Sequence, residues 1–180
     1  DPYSAESYDF TLTDIYSQMI EKAGAKVFYR LGSKIEHAAK KYGTLPPKDF
    51  KKWAIICEHI IKHLTEGWAD GLHLDIEYWE IWNEEDGGFW FSPRIEYVDF
   101  LKQTYNKIKS IDPNANVMMG GMVVRNGEFL EMLYQNGCKD YFDIINIHSY
   151  FHPGKPEDGL VGDINHYKAI AAQYGDTDKA

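Results

Sequence analysis

Cysteine is scarce in this sequence. Cys57 and Cys138 are the two in 180 residues, too few for a disulfide framework and without His partners at metal-site spacing. Cys57 falls on the apolar side of a helical pattern, where a free thiol behaves as a small hydrophobe. Positive charge is also thin: 19 Lys and Arg stand against 28 Asp and Glu, a net charge of −9. The basic residues never cluster beyond pairs such as Lys40-Lys41 and Lys51-Lys52, so no phosphate-tracking surface forms and nucleic acid is not an expected partner. No apolar run approaches the roughly 18–20 residues needed to cross a bilayer, so a membrane partner is not expected either. The chain opens on Asp1-Pro2 with no basic or apolar leader, which leaves the compartment undefined. Linkers, low-complexity tracts and repeats are missing as well, so residues 1–180 read as one domain.

What is abundant is apolar and aromatic. Hydrophobic residues make up 44% and aromatic residues 15%, with five Trp and thirteen Tyr, an excess that suits either a large core or a carbohydrate surface. The hydrophobic period alternates along the chain. A helical stretch over residues 13–22 ends at Gly24, and residues 25–31 read as a buried strand. Pro46-Pro47 opens a long helix in which Phe50, Trp53, Ala54, Cys57, Ile60, Ile61 and Leu64 keep i, i+3, i+4, i+7 spacing until Gly67 stops it. Residues 76–82 form a second strand. Ser92-Pro93 starts a helix carrying Tyr97, Leu101, Tyr105 and Ile108 on one face, and Asp112-Pro113 ends it. A third strand covers residues 116–123, a short helix residues 128–135, a fourth strand residues 141–150 and a last helix residues 163–174.

Strands alternating with covering helices predict an α/β fold with a parallel sheet. An open doubly wound sheet and part of a (β/α)8 barrel both satisfy this order. The doubly wound reading lacks its Gly-rich first turn, since Gly120-Gly121 runs into Met-Val-Val instead of a third glycine. A whole barrel takes about 250 residues, so the barrel reading makes this chain an incomplete barrel.

The stretch Tyr78-Trp79-Glu80-Ile81-Trp82-Asn83-Glu84-Glu85-Asp86 is where chemistry is expected. A strand ends in Asn-Glu and enters an acidic loop containing Gly87-Gly88 and the aromatics Phe89, Trp90 and Phe91. In a parallel barrel the carboxyl ends of the strands face the active site. Indole walls disfavour a carboxylate's charge, which suits Glu84 to giving a proton to a leaving oxygen. The Asn83 amide can bond a sugar hydroxyl without carrying charge. At the end of the fourth strand His148 and Tyr150, two residues apart, share one face and can orient a carboxylate or a hydroxyl. Trp79, Trp82 and Trp90 are candidates for stacking on sugar rings. His148 and His152 are four apart but leave a strand, and Pro153-Gly154 breaks the chain at once, so no metal site is expected. Nothing in the sequence requires a cofactor. Strand parity points Asn83 and Glu84 to opposite faces, and both enter one cleft only if the chain bends or bulges there.

The run Trp79-Glu80-Ile81-Trp82-Asn83-Glu84 resembles the fourth-strand motif of the clan A glycoside hydrolases, most closely family 39, the β-xylosidase and α-iduronidase group. Three further stretches are similar to that family: Leu45-Pro46-Pro47-Lys48-Asp49-Phe50 with Trp53, Val117-Met118-Met119-Gly120-Gly121, and Ile147-His148-Ser149-Tyr150. The resemblance implies a (β/α)8 barrel of which this chain holds about strands three to six. It also implies a carbohydrate substrate and a retaining mechanism. Glu84 is then the general acid/base, Asn83 the residue on the sugar 2-hydroxyl, and His148 and Tyr150 the pair that holds the sugar and the second carboxylate. The loop after Glu84 reads Glu85-Asp86 where the family commonly has Glu-Pro. Retaining hydrolysis needs a nucleophile carboxylate about 5–5.5 Å from the acid, in this family a Glu at the end of the seventh strand, and no Glu here matches it. The alternative is a carbohydrate-binding barrel that lacks the nucleophile. The unpaired edges of a half barrel predict self-association.

Overall fold

The computed structural model describes residues 1–32, 45–150, 154, 155, 157 and 159–180. Its elements in chain order are α1 (Thr11–Lys22), β1 (Phe28–Leu31), α2 (Phe50–Glu66), β2 (Tyr78–Ile81), α3 (Glu96–Ile111), β3 (Asn116–Met119), α4 (Glu128–Gln135) and α5 (Leu160–Gln173), with 3-10 turns at Ala5–Ser7 and Lys139–Tyr141. Helix α2 shows why the sequence folds this way. Its apolar spacing buries Ala54, Cys57, Ile61 and Leu64. Gly67 ends it in the left-handed region at φ 77°, which glycine enters without a Cβ penalty. The start differs from expectation: Pro46-Pro47 lie ahead of the helix, and Asp49 caps it by accepting the Lys52 N–H at 3.0 Å. A carboxylate beside exposed first-turn amides satisfies donors that a proline cannot reach.

The three strands pair in parallel in the order β1-β2-β3. In register, Arg30 faces Glu80 and Glu80 faces Met118. Each strand lies beside its predecessor in the chain, and right-handed crossovers then place every connecting helix on the same side. This order is that of a barrel wall, and one half of a doubly wound sheet shares it. Trp79, Ile81, Val117 and Met119 form the helix-facing side of the core with Cys57, Ile61, Phe100, Leu101 and Ile108. Helices α2 and α3 pack side by side, joined at the surface by Glu58 and Lys107 at 2.9 Å. Cys57 and Cys138 are free and buried, and burial pushes the Cys57 thiol far up, so both act as core residues.

The predicted fourth strand forms no continuous ladder. Two parallel bridges, Met118 with Ile144 and Met122 with Ile147, tie residues 143–148 to β3 and to the turn that follows it. Four steps on one side match three on the other, so the Gly120-Gly121 turn is a bulge of one residue. The Asp143 carboxylate also takes the Val117 N–H at 2.9 Å that a ladder partner would use.

Candidate active site

Strand β2 stops at Ile81, and the chain then turns through two left-handed residues, Trp82 at φ 73° and Glu84 at φ 46°. Neither is glycine, so each conformation costs on the order of 1–3 kcal/mol and is held by the surrounding packing. This is the bend that strand parity required. It carries the Trp82 ring to the helix side, where it meets Trp53 at 5.9 Å, Phe100 at 5.7 Å and Trp90 at 5.5 Å. The Trp82 indole N–H donates to the Phe89 carbonyl at 2.6 Å. Asn83 is buried between the two left-handed residues, its backbone nitrogen against Gly120.

Glu84 then meets His148. Its Oε1 lies 2.8 Å from His148 Nδ1, and the two side chains are 16% and 22% exposed. They come from the turn after β2 and from the bridged stretch 143–148, and are 64 positions apart in sequence. With the proton on Nδ1 the ring donates to an ionised Glu84; with Glu84 protonated the direction reverses, so the pair can hold a proton on either atom. The ring rests on Gly121, where a Cβ would fall 2.1 Å from Nε2. The His148 N–H donates to the Met122 carbonyl at 2.8 Å and fixes the backbone beneath it. Tyr150 stands edge-on to the His148 ring, centroids 6.4 Å apart, and is exposed.

Beneath the pair lies a polar floor. Glu80, 1% exposed, receives Arg30 Nε at 2.5 Å, the Gly121 N–H at 3.2 Å and Asn146 Nδ2 at 2.9 Å. Asp86 is fully buried and accepts the N–H groups of Val123 and Val124 at 2.7–3.1 Å, tying the loop after β2 to the loop after β3. Glu85 is also buried, and both of its carboxyl oxygens lack a hydrogen-bond partner; burial pushes its pKa well up, reinforced by the charges of Asp86 and Glu80. To one side, Asp163 of α5 receives Arg125 at 2.6 and 3.0 Å and the Ser149 hydroxyl at 2.9 Å. These bonds, the Arg125 guanidinium foremost, hold the Asp163 carboxyl below its usual range.

Of the residues singled out by sequence, Glu84, His148 and Tyr150 come together at the carboxyl edge of the sheet, with Asn83 buried beside them. Trp82 and Trp90 require correction as sugar-stacking residues. They are 3% and 5% exposed, Trp79 is 1% exposed, and all three are core, because the left-handed turn at Trp82 directs its ring toward the helices. Sequence reasoning missed Arg30, Glu80 and Asp86, whose roles depend on strand register. Asn146 was legible, since it shares the period-two spacing of His148 and Tyr150. His152 lies outside the described residues; among the described residues no group of three or more His, Cys, Asp or Glu could hold a metal ion. Hollows of about 430 and 530 Å³ lie along α2 and α3, away from Glu84.

No protein-family profile matches the chain. It is 31% identical over 91 residues to a β-xylosidase of Geobacillus stearothermophilus, a match covering 48% of this chain and 17% of that protein. Among solved structures it is similar to a glucosidase from Croceicoccus marinus, with a TM-score of 0.87 and 23% identity over 99% of this chain and 38% of that one. A GH39 β-xylosidase from Caulobacter crescentus superposes with a TM-score of 0.67 and 22% identity over 91% of this chain and 38% of its own. The fold is therefore part of a (β/α)8 barrel, like the matching stretch of these glycosidases, and the chain spans less than two fifths of each of these relatives. The likeness to family 39 stated from the sequence motifs is borne out at this level.

Proposed function

We propose that this chain is the acid/base-bearing part of a retaining glycoside hydrolase, a single incomplete barrel domain that acts on a carbohydrate. The observation that carries the reading is the 2.8 Å contact between Glu84 and His148 at the carboxyl edge of a parallel sheet, the edge where barrel enzymes do their chemistry. Glu84 protonates the leaving oxygen in the first step and takes a proton from water in the second. His148 holds the carboxyl group in place and the exposed Tyr150 contacts the sugar, while Asn83, at 6% exposure, is buried beside them much as Trp90 is. The neighbouring carboxylates are poor candidates for the nucleophile: Glu80 is bound to Arg30, and Glu80, Glu85 and Asp86 are all at most 1% exposed. The nucleophile is assigned to a part of the barrel outside this chain.

In an enzyme holding the whole barrel, Glu84→Gln should lower turnover by about 10²–10⁴-fold on glycosides with poor leaving groups. Activated aryl glycosides, which need no protonation, should be partly spared. Unchanged turnover on the poor leaving groups refutes the assignment. The chain alone should be catalytically silent and should self-associate. Its exposed features favour association: Phe28 on the edge strand β1, and Leu12, Ile15, Tyr16 and Met19 along one face of α1. Sedimentation analysis that finds only monomer across the micromolar range refutes the second expectation.

A further inference from the structure

The burial of Glu85, with both carboxyl oxygens unpartnered, is not explained by the proton transfer assigned to Glu84. Its carboxyl group lies directly against Gly120: a Cβ on that glycine would sit 2.0 Å from Oε2 and 3.0 Å from Cδ. The next residue, Gly121, seats the His148 ring in the same way. A closed circuit results, running from Glu84 to His148 by a hydrogen bond, from His148 to Gly121 by contact, and along the backbone to Gly120. From Gly120 it passes by contact to Glu85, which is covalently next to Glu84. Every link is a close contact or a bond, so the position of Glu85 and the position of the Glu84–His148 pair constrain each other.

We propose that Glu85 is a positioning residue that works as a neutral carboxylic acid, wedging the Gly120-Gly121 bulge so that His148 and Glu84 stay in contact. The proposal builds on the reading of Glu84 as the proton donor, but the geometry it concerns exists whether or not that reading holds. The groups facing Glu85 explain why it must be neutral. Glu80 on β2 and Asp86 in the loop are both negative neighbours. Arg30 is engaged with Glu80, and Arg94 donates to the Asp86 carbonyl, so neither cation answers Glu85. The Tyr97 hydroxyl of α3 already gives its single proton to the Ile81 carbonyl at 2.8 Å and accepts the Gly120 N–H at 3.2 Å. Tyr97 also lies beside the Glu85 carboxyl, but its proton is committed to the Ile81 carbonyl, so a Glu85 that carries its own proton suits this pocket. An ionised Glu85 would be a buried, unpaired charge beside two negative neighbours, which the structure relieves only by moving the side chain out.

The direction of the pH effect follows. A carboxyl that keeps its proton more tightly folded than unfolded stabilises the fold at acid pH and loses that contribution as pH rises through its folded midpoint. Above the ordinary carboxyl range the folded-to-unfolded ratio should fall about tenfold per pH unit from this group alone, until the folded chain releases the proton.

The test uses the full chain, labelled with ¹⁵N-histidine and ¹³C-glutamate, and the variants Glu85→Gln and Glu85→Ala. The Glu85 carboxyl signal is identified by its loss in Glu85→Gln, and the His148 Nδ1 signal by its loss in His148→Gln. The expected result is a Glu85 carboxyl that titrates well above the ordinary range. The His148 Nδ1 signature of the Glu84 bond should vanish over that same pH interval. In Glu85→Gln, which is neutral at every pH, the signature should persist through the interval, and the tenfold-per-unit loss of stability relative to wild type should be gone. Glu85→Ala should lose the signature at all pH values. A Glu85 that titrates like a surface carboxylate overturns the proposal. So does a His148 signature indifferent to Glu85 ionisation, or one that survives in a folded Glu85→Ala, since a merely structural role would leave it in place. If Glu85→Ala does not fold, wild type and Glu85→Gln still decide. Failure of Glu84 as an acid would appear in turnover of the whole-barrel enzyme and leave these spectra unchanged.

Discussion

The Arg30–Glu80 pair lets the floor of the site be tested without measuring turnover. Glu80 is 1% exposed and Arg30 is 34% exposed, with Nε 2.5 Å from Oε2. Removing one partner of a buried ion pair costs about 3–5 kcal/mol, because the other is left charged in a poor solvent. Two features lower that figure here. Glu80 keeps the Gly121 N–H and the Asn146 amide, and Arg30, a third exposed, retains part of its hydration. Arg30→Met, which preserves the apolar stem, should therefore cost about 2–3 kcal/mol, a fall of about 30- to 150-fold in the folded-to-unfolded ratio. Urea unfolding at pH 7 reads this as a lower midpoint at unchanged slope. Adding Glu80→Gln removes the orphaned charge and should restore at least half of the loss, a coupling that a double-mutant cycle isolates. A single-variant loss below about 0.5 kcal/mol, or no recovery in the double variant, would refute the view that Glu80 depends on Arg30 for its charge.

Two further expectations follow from the same floor. Asp86→Ala orphans the part-buried N–H groups of Val123 and Val124 and should cost about 2–6 kcal/mol at roughly 1–3 per unsatisfied group; a calorimetric melting temperature within about 2 °C of wild type would contradict it. Asp163, whose carboxyl Arg125 and Ser149 hold below the usual range, contributes stability that is present above the unfolded carboxyl midpoint near about 4 and lost as pH falls through the lower folded one. Arg125→Gln should therefore flatten the acid limb of the stability curve, and identical acid limbs in the two proteins would count against the pairing.

The sequence by itself determined the elements, because they follow from local physics. The seven-residue apolar set of α2 dictated a buried helix face, and Gly67 dictated its end because only glycine enters φ 77° without strain. The short helix over Glu128–Gln135 lies where its pattern placed it. The Asn83-Glu84 step and the His148–Tyr150 spacing were legible too, since strand period two and a strand-end carboxylate are local signals. Strand register was not local. That Arg30 faces Glu80 depends on how β1 aligns with β2, and nothing within either segment encodes the alignment. The tertiary structure also decided the direction of the Trp82 ring. Two left-handed residues, with the Trp82 ring packed against α2 and α3 and bonded to the Phe89 carbonyl, turned an expected sugar platform into core. The same bend aims Glu84 at an imidazole 64 residues away, and the one-residue bulge at Gly120-Gly121 leaves room for both. Local patterns fix what each segment becomes; the contacts between segments, on which a shared proton depends, exist only once the sheet has assembled.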